Sequence, residues 1–209
     1  MEPITIPEVE KYLYEVLPAR DETLAEMERL AREQDIPIVG PAVGRVLCQY
    51  AQLIGARRIF EMGSAIGYST IWLARAAGPE GKVYYTDGDP KNAEKAKGYF
   101  ERAGVRDRVE VLVGNALDLI QQVQGEFDLI FNDVSKQDYP KVFRLALPRL
   151  RRGGLFISDN VFWSGRVGRP DPDEKTRSIL EFNRLIYSSP EVFVTLLPIR
   201  DGLAVCHKL

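Results

Sequence analysis

From residue 58 onward, short apolar runs alternate with stretches of helical periodicity. The segments 58–62, 82–86, 108–113, 127–131 and 154–158 read as strands, and helical patterns separate them at 68–77, 90–103, 115–123 and 139–150. Strands alternating with helices of this length form βαβ units, hence a parallel sheet with right-handed crossovers. The tail breaks that rhythm. After a helix at 174–187, strands at 192–197 and 202–207 are split only by Pro198-Ile-Arg-Asp201. A link so short cannot make a parallel crossover, so this pair is expected to be an antiparallel hairpin at the sheet's end. The first 57 residues read as helices at 7–17, 22–34 and 41–55, broken at Pro18 and Pro37. The polar stretch 164–173, with Gly165, Gly168, Pro170 and Pro172, is the longest loop candidate and a candidate cover for a site.

At 209 residues, and with about 150 residues to a typical domain, the chain is expected to be one domain over 1–209. Helices in 1–57 then complete a pocket on a sheet core in 58–209. The 28 basic and 30 acidic residues leave a net charge of −2, too small a field to recruit a polyanion, so nucleic acid is not an expected partner. The first residues carry acids where an export signal needs basic residues, and no uncharged apolar run approaches the ~18 residues of a membrane span. A cytoplasmic protein is the expectation. Cys48 and Cys206 have no metal spacing and read as reduced core thiols. With His207 as the only histidine, a zinc site of several imidazoles is excluded and a Ser-His-Asp triad is strongly disfavoured.

In an open parallel sheet, ligands bind beyond the carboxyl ends of the strands, and the chemistry-bearing residues of this chain fall there. After the first strand comes Glu61-Met-Gly-Ser-Ala-Ile-Gly67, a glycine turn that opens a helix, where backbone approaches a ligand closely. It also reads as an ordinary strand-to-helix turn. Ala65 stands where a dinucleotide fingerprint has its middle glycine. Asp87 ends the second strand about 20 residues beyond Gly67, where an acid holds a ribose diol in nucleoside-binding βαβ units. Its other reading is a helix cap, a job that Asp89 suits better. Turn and acid together favour an adenosine-containing cofactor. Asp133 follows the fourth strand, and Asp159 with Asn160 follows the fifth. Neighbouring strand ends would converge these into a hard oxygen set suited to Mg²⁺ or Ca²⁺, although each alone also reads as a helix cap. Lys136 is either a solvated lysine or, beside a cation and partly buried, a general base.

The ordered set Glu61-Met-Gly-Ser-Ala-Ile-Gly-Tyr-Ser69, Asp87-Gly-Asp-Pro90, Asp133-Val-Ser-Lys136, Asp159-Asn-Val-Phe-Trp-Ser-Gly165 and Asp201-Gly-Leu203, with Leu17-Pro-Ala-Arg20 near the start, resembles the cation-dependent, S-adenosylmethionine-using O-methyltransferases. These are the group of the caffeoyl-coenzyme A and catechol enzymes. The resemblance implies a Rossmann-like class I methyltransferase: a seven-stranded, mostly parallel sheet with a C-terminal antiparallel hairpin and helices on both faces. It implies metal-dependent methylation of a hydroxyl on a vicinal dihydroxy aromatic small molecule. Glu61, Gly63 and Ser69 would line the methionine end of S-adenosylmethionine, with Val39 flanking it. Asp87 would bind the ribose and Ala116 would border the adenine. Asp133, Asp159 and Asn160 would hold the divalent cation (Mg, Ca or Mn), and Asp133 would also border the cofactor. Lys136 matches the catalytic base, and Trp163 lies on the loop lining the acceptor pocket. Relatives are often homodimers. Ser135 stands where many plant-type members carry an acid, and Asn132 where an apolar residue is commoner. Three other readings remain: a hydroxylated tRNA base as acceptor, with Arg57, Arg58, Arg149, Arg151, Arg152, Arg166 and Arg169 as phosphate contacts; an NAD-dependent oxidoreductase; and a non-catalytic module with a relic site.

Overall fold

The computed structural model describes residues 5–209. Three helices come first: α1 (Pro7–Glu15), α2 (Glu22–Gln34) and α3 (Gly40–Leu53). Then β1 (Arg58–Met62), α4 (Tyr68–Ala77), β2 (Lys82–Asp87), α5 (Pro90–Arg102), β3 (Val109–Val113), α6 (Ala116–Gln122), β4 (Phe127–Asn132), α7 (Tyr139–Ala146) and β5 (Leu150–Ser158) alternate. The chain ends with α8 (Glu174–Ser188), β6 (Val192–Leu197) and β7 (Leu203–Lys208). Local chemistry marks the helix starts. Asp21 accepts from the Thr23 and Leu24 amides ahead of α2, Asp89 from Lys91 ahead of α5, Asn115 from Leu117 ahead of α6, and Asp173 from Thr176 ahead of α8. Pro18 and Pro37 lie in the breaks between the first three helices.

All seven strands form one sheet in the order β3-β2-β1-β4-β5-β7-β6. The pairs from β3 to β5 are parallel, while β7 runs antiparallel to both β5 and β6. The expected sheet and hairpin are both present. Because side chains alternate faces along a strand, β1 sends Ile59 to one core and Phe60 and Met62 to another. α2, α3, α4 and α5 cover the first, with Leu24, Val43, Leu47, Ile71 and Phe100. α6, α7 and α8 cover the second, with Ile120, Phe143 and Phe182. The sheet is therefore enclosed on both faces, as parallel sheets usually are.

Two expected boundaries shift. The helix expected over 139–150 ends at Ala146, and a short 3-10 turn at Leu147–Arg149 leads straight into β5, which begins at Leu150 rather than 154. Pro148 interrupts the helix, and a register shift between Phe127 and Leu129 lets Leu150 oppose Phe127 while Leu155 opposes Leu129. Gly154 sits in that irregularity, where a Cβ would come within 2.8 Å of the Asp128 carbonyl oxygen. The segment 164–173 is mostly loop, with a 3-10 turn at Arg166–Gly168. Cys206 is a buried core thiol, pushed up to about 12 by burial. Cys48 is only half-buried, and both are free. No described helix is long and apolar enough to cross a membrane.

Candidate functional site

The strand order reverses between β1 and β4, which open a crevice beyond their carboxyl ends. Two cavities of about 450 and 500 Å³ adjoin there and share Gly63, Asp87 and Asp133. That is the size range of small-molecule sites.

The turn after β1 is built for close approach. Gly63 has φ +83°, and a Cβ there would lie 2.6 Å from the Asp133 carbonyl oxygen, so only glycine lets β1 and β4 meet at this edge. Gly67 opens α4 at φ +86°, with the Phe100 ring filling the space a Cβ would need. Asp87, on β2, accepts from the Ala65 amide at 2.9 Å through Oδ2, and from the Asp89 amide and Asn92 Nδ2 through Oδ1. It thus clamps the glycine turn while facing both cavities, and the capping of α5 falls to Asp89. Glu61 is fully buried beneath the turn. Thr70 Oγ1 donates to its Oε2, while Oε1 has no hydrogen-bond partner among the described residues. Burial pushes its carboxyl up to about 7, against the hydroxyls of Ser69, Thr70 and Ser64, which favour the charged form. Ala116, the first residue of α6, lines the second cavity. Val39 is buried in the core beside the site, and its neighbours Pro37 and Ile38 are the ones lining the first cavity.

The far wall comes from β4, β5 and the β6–β7 link. Asp133 follows β4, and its Oδ1 accepts from Lys136 Nζ at 2.7 Å. That amine also donates to the Val134 carbonyl and lies 5.0 Å from the Tyr139 ring centroid. Asp159 is wholly buried at the end of β5; the Asn160 amide donates to its Oδ1 at 2.8 Å and Arg200 Nη1 to its Oδ2 at 3.1 Å. Burial, and then the charge of Asp133, raise its pKa, with Arg200 opposing. Asn160 adopts φ +60° and donates from Nδ2 to Asp201 Oδ2 at 3.0 Å. Trp163 at φ +47° and Ser164 at φ +53° continue this strained loop, and Trp163 faces the first cavity. Its indole N–H is buried with no partner among the described residues. Tyr139, buried under the site, donates to the Asp159 carbonyl at 2.9 Å.

The fold therefore brings Gly63, Asp87, Asp133, Lys136, Asn160 and Trp163 to one cavity, with Asp159 and Glu61 buried in its walls. Asn132 is a buried polar end to β4, donating to Ser158 Oγ, and Ser135 is exposed at the rim of the second cavity. Arg200 and Tyr139 were not foreseen. Arg200 lies in the hairpin link, which meets the site because β7 runs antiparallel to β5, pairing Ala204 with Ser158. Arg57, Arg58, Arg149, Arg151 and Arg152 sit where β1 and β5 begin, at the opposite end of the strands. Arg58, Arg149 and Arg151 are tied there to carbonyls of the β4 approach and to Asp128. Of the arginines considered for phosphate, Arg166 is tied to a residue lining the cavity: it stacks 5.6 Å from Trp163 and pairs with Asp173.

The O-methyltransferase family matches residues 16–209. A catechol O-methyltransferase from Mycobacterium tuberculosis is 40% identical over 164 residues, covering 77% of this chain and 74% of that one. Another from Niastella koreensis is 33% identical over 209 residues, covering 94% and 95%. Among solved structures, an O-methyltransferase from Bacillus cereus in complex with SAH superposes with a TM-score of 0.87 at 36% identity, covering 97% of each chain.

Proposed function

The chain belongs to the O-methyltransferase family of S-adenosylmethionine-dependent enzymes, and we propose that it methylates one hydroxyl of a catechol-like small molecule with the help of a divalent cation. The observation that carries this reading is one cavity lined at one end by the Gly63 turn and Asp87, and at the other by Asp133, Lys136, Asn160 and Trp163. Donor and acceptor halves of a group transfer need that adjacency, because the main contribution of such an enzyme is to hold the reactants in near-attack geometry.

The residues present suit the cofactor. The bare Gly63 backbone lining both cavities and the unpartnered Glu61 Oε1 offer a close approach and an acceptor for a cationic, amine-bearing ligand, and Asp87 faces both cavities, as a ribose-binding acid must. For the cation, the donor set is chemically apt. Two carboxylates and an amide carbonyl are hard oxygen ligands, although among the described residues no group of three or more His, Cys, Asp or Glu side chains stands ready to hold a metal ion. A divalent cation held by Asp133, Asp159 and Asn160 would lower the pKa of a chelated hydroxyl. With the cation taking Lys136's place on Asp133, the lysine can give up its own proton and then, as the neutral amine, accept the hydroxyl proton at Nζ. Trp163 offers a flat apolar wall to an aromatic ring. With that proton on the lysine, the acceptor oxygen forms its bond to the methyl carbon as the sulfur–methyl bond breaks. The transfer annihilates charge, so exclusion of water would favour it, and the loop at 164–173, which follows Trp163, is the candidate cover.

The reading takes 1–209 as one cytoplasmic domain, with the segment before α3 forming a wall of the pocket through Pro37 and Ile38. It also includes a homodimer. α1 buries no residue within the chain and exposes Val9, Tyr12 and Leu13, with Val16 exposed just after it. A tRNA acceptor is disfavoured, because most of the arginines proposed for phosphate lie at the other end of the strands. NAD chemistry would leave Asp133, Asp159 and Asn160 idle.

The test is radiolabelled methyl transfer to a panel of ortho-diphenols with and without EDTA. Loss of transfer on chelation, recovered with added Mg²⁺, is expected, and activity surviving complete chelation refutes the cation's part. Asp159→Ala is expected to abolish turnover while sparing affinity for S-adenosylhomocysteine.

A further inference from the structure

Arg200 occupies an unusual place for a charged residue. It sits in the short link between β6 and β7 at φ +55°, a left-handed conformation for which glycine is the default. From there its guanidinium enters the site wall, with Nη1 3.1 Å from Asp159 Oδ2 and Nη2 2.9 Å from the Ile38 carbonyl. Asp159 is wholly buried and its Oδ1 is already engaged by the Asn160 amide, so Oδ2 is the oxygen left for a cation, and the guanidinium is on it.

Charge balance follows from those contacts. Asp133 is matched by Lys136 at 2.7 Å and Asp159 by Arg200 at 3.1 Å. A third carboxylate, Asp201, turns its oxygens to Asn160 Nδ2 and the Ser164 amide. The two carboxylates offered to a divalent cation thus each have a protein cation of their own. Adding two further positive charges would leave an excess in a poorly solvated wall, where unpaired charge is expensive. We propose that Arg200 is an internal counter-ion that competes with the divalent cation for Asp159, so that the cation enters by exchange with the guanidinium. The proposal rests on the oxygen-donor reading of Asp133, Asp159 and Asn160 given above. Withdrawal of Arg200 also releases the Ile38 carbonyl, which links cation entry to the segment leading into α3.

Purified wild type, Arg200→Gly and Arg200→Gln are titrated with Mn²⁺, with free ion read by electron paramagnetic resonance and folding checked by thermal midpoint. Glycine suits the left-handed turn, and glutamine keeps a neutral donor for Ile38 should the glycine variant fail to fold. Both variants are expected to bind Mn²⁺ at least tenfold more tightly than wild type, and adding Asp159→Asn to either is expected to erase the gain. A wild type that binds Mn²⁺ as tightly as the neutral variants overturns the competition and leaves the donor set standing. A gain that survives Asp159→Asn overturns it too. Absence of Mn²⁺ binding in all of them overturns both the competition and the donor set.

Discussion

Lys136 and Glu61 show how burial turns ordinary side chains into candidates for chemistry. Lys136 is 9% exposed, held over Tyr139 and against Asp133. A solvated lysine would keep its amine in water, away from such partners. If it moves the acceptor's proton, Lys136→Met should lower kcat by about 10²–10⁴-fold, the usual contribution of a general base, with the Kd for S-adenosylhomocysteine unchanged by calorimetry. An equal loss in cofactor affinity would count against that role. Glu61 makes a prediction about stability. Its carboxyl is raised to about 7 in the folded chain from an ordinary 4.5. The folded state therefore holds a proton that the unfolded state has lost between these values, and stability falls as pH rises through that window. At about 1.4 kcal/mol per pH unit, keeping it charged above pH 7 costs on the order of 3 kcal/mol. Glu61→Gln should therefore stabilise the protein more at pH 8 than at pH 5 in urea titrations, while weakening the cofactor complex. A pH-independent effect would show that burial does not govern this group.

Helix and strand boundaries follow local chemistry wherever it is unambiguous. The expected 22–34, 58–62, 68–77 and 192–197 coincide with α2, β1, α4 and β6, because caps, glycines and prolines bound each of them. The start of β5 was not legible. Residues 150–153 carry two arginines and a glycine, and they join the sheet only because the irregular pairing with β4 accepts them. The functional weight of α7 and α8 was equally hidden. Tyr139, Phe143, Phe156 and Phe182 meet edge-on, with ring centroids 5.4 Å apart for Tyr139–Phe182 and 5.6 Å for Phe143–Phe156. This cluster holds the tyrosine whose hydroxyl bonds the Asp159 carbonyl. Phe182→Ala should cost about 3–5 kcal/mol by chemical denaturation. If the cluster positions Asp159, turnover should fall in the surviving folded protein with cofactor affinity retained.

Across the whole molecule, the sheet order separates two kinds of surface. The crevice gathers acids with Lys136, Arg200 and Trp163, while Arg58, Arg149 and Arg151 staple the opposite end of the strands to itself. A net charge of −2 thus hides an uneven distribution, which sequence counting cannot resolve. α1 presents a third surface, with Tyr12 61% and Leu13 42% exposed. If two copies associate through it, Leu13→Glu should convert a dimer to a monomer in light scattering coupled to size exclusion. An unchanged mass would remove α1 from the interface.

Local order made most of this protein legible beforehand: strand and helix succession, the hairpin, the glycine turn and the acids that end β2, β4 and β5. Each depends on side chains a few residues apart, or on the rule that parallel strands present their carboxyl ends together. Folding alone placed Arg200 on Asp159, from 41 residues further along the chain, and Tyr139 beneath it. Both arrive through the antiparallel turn of β7 and the packing of α7 against α8. Such contacts depend on how elements stack in three dimensions, and no spacing along the chain encodes them.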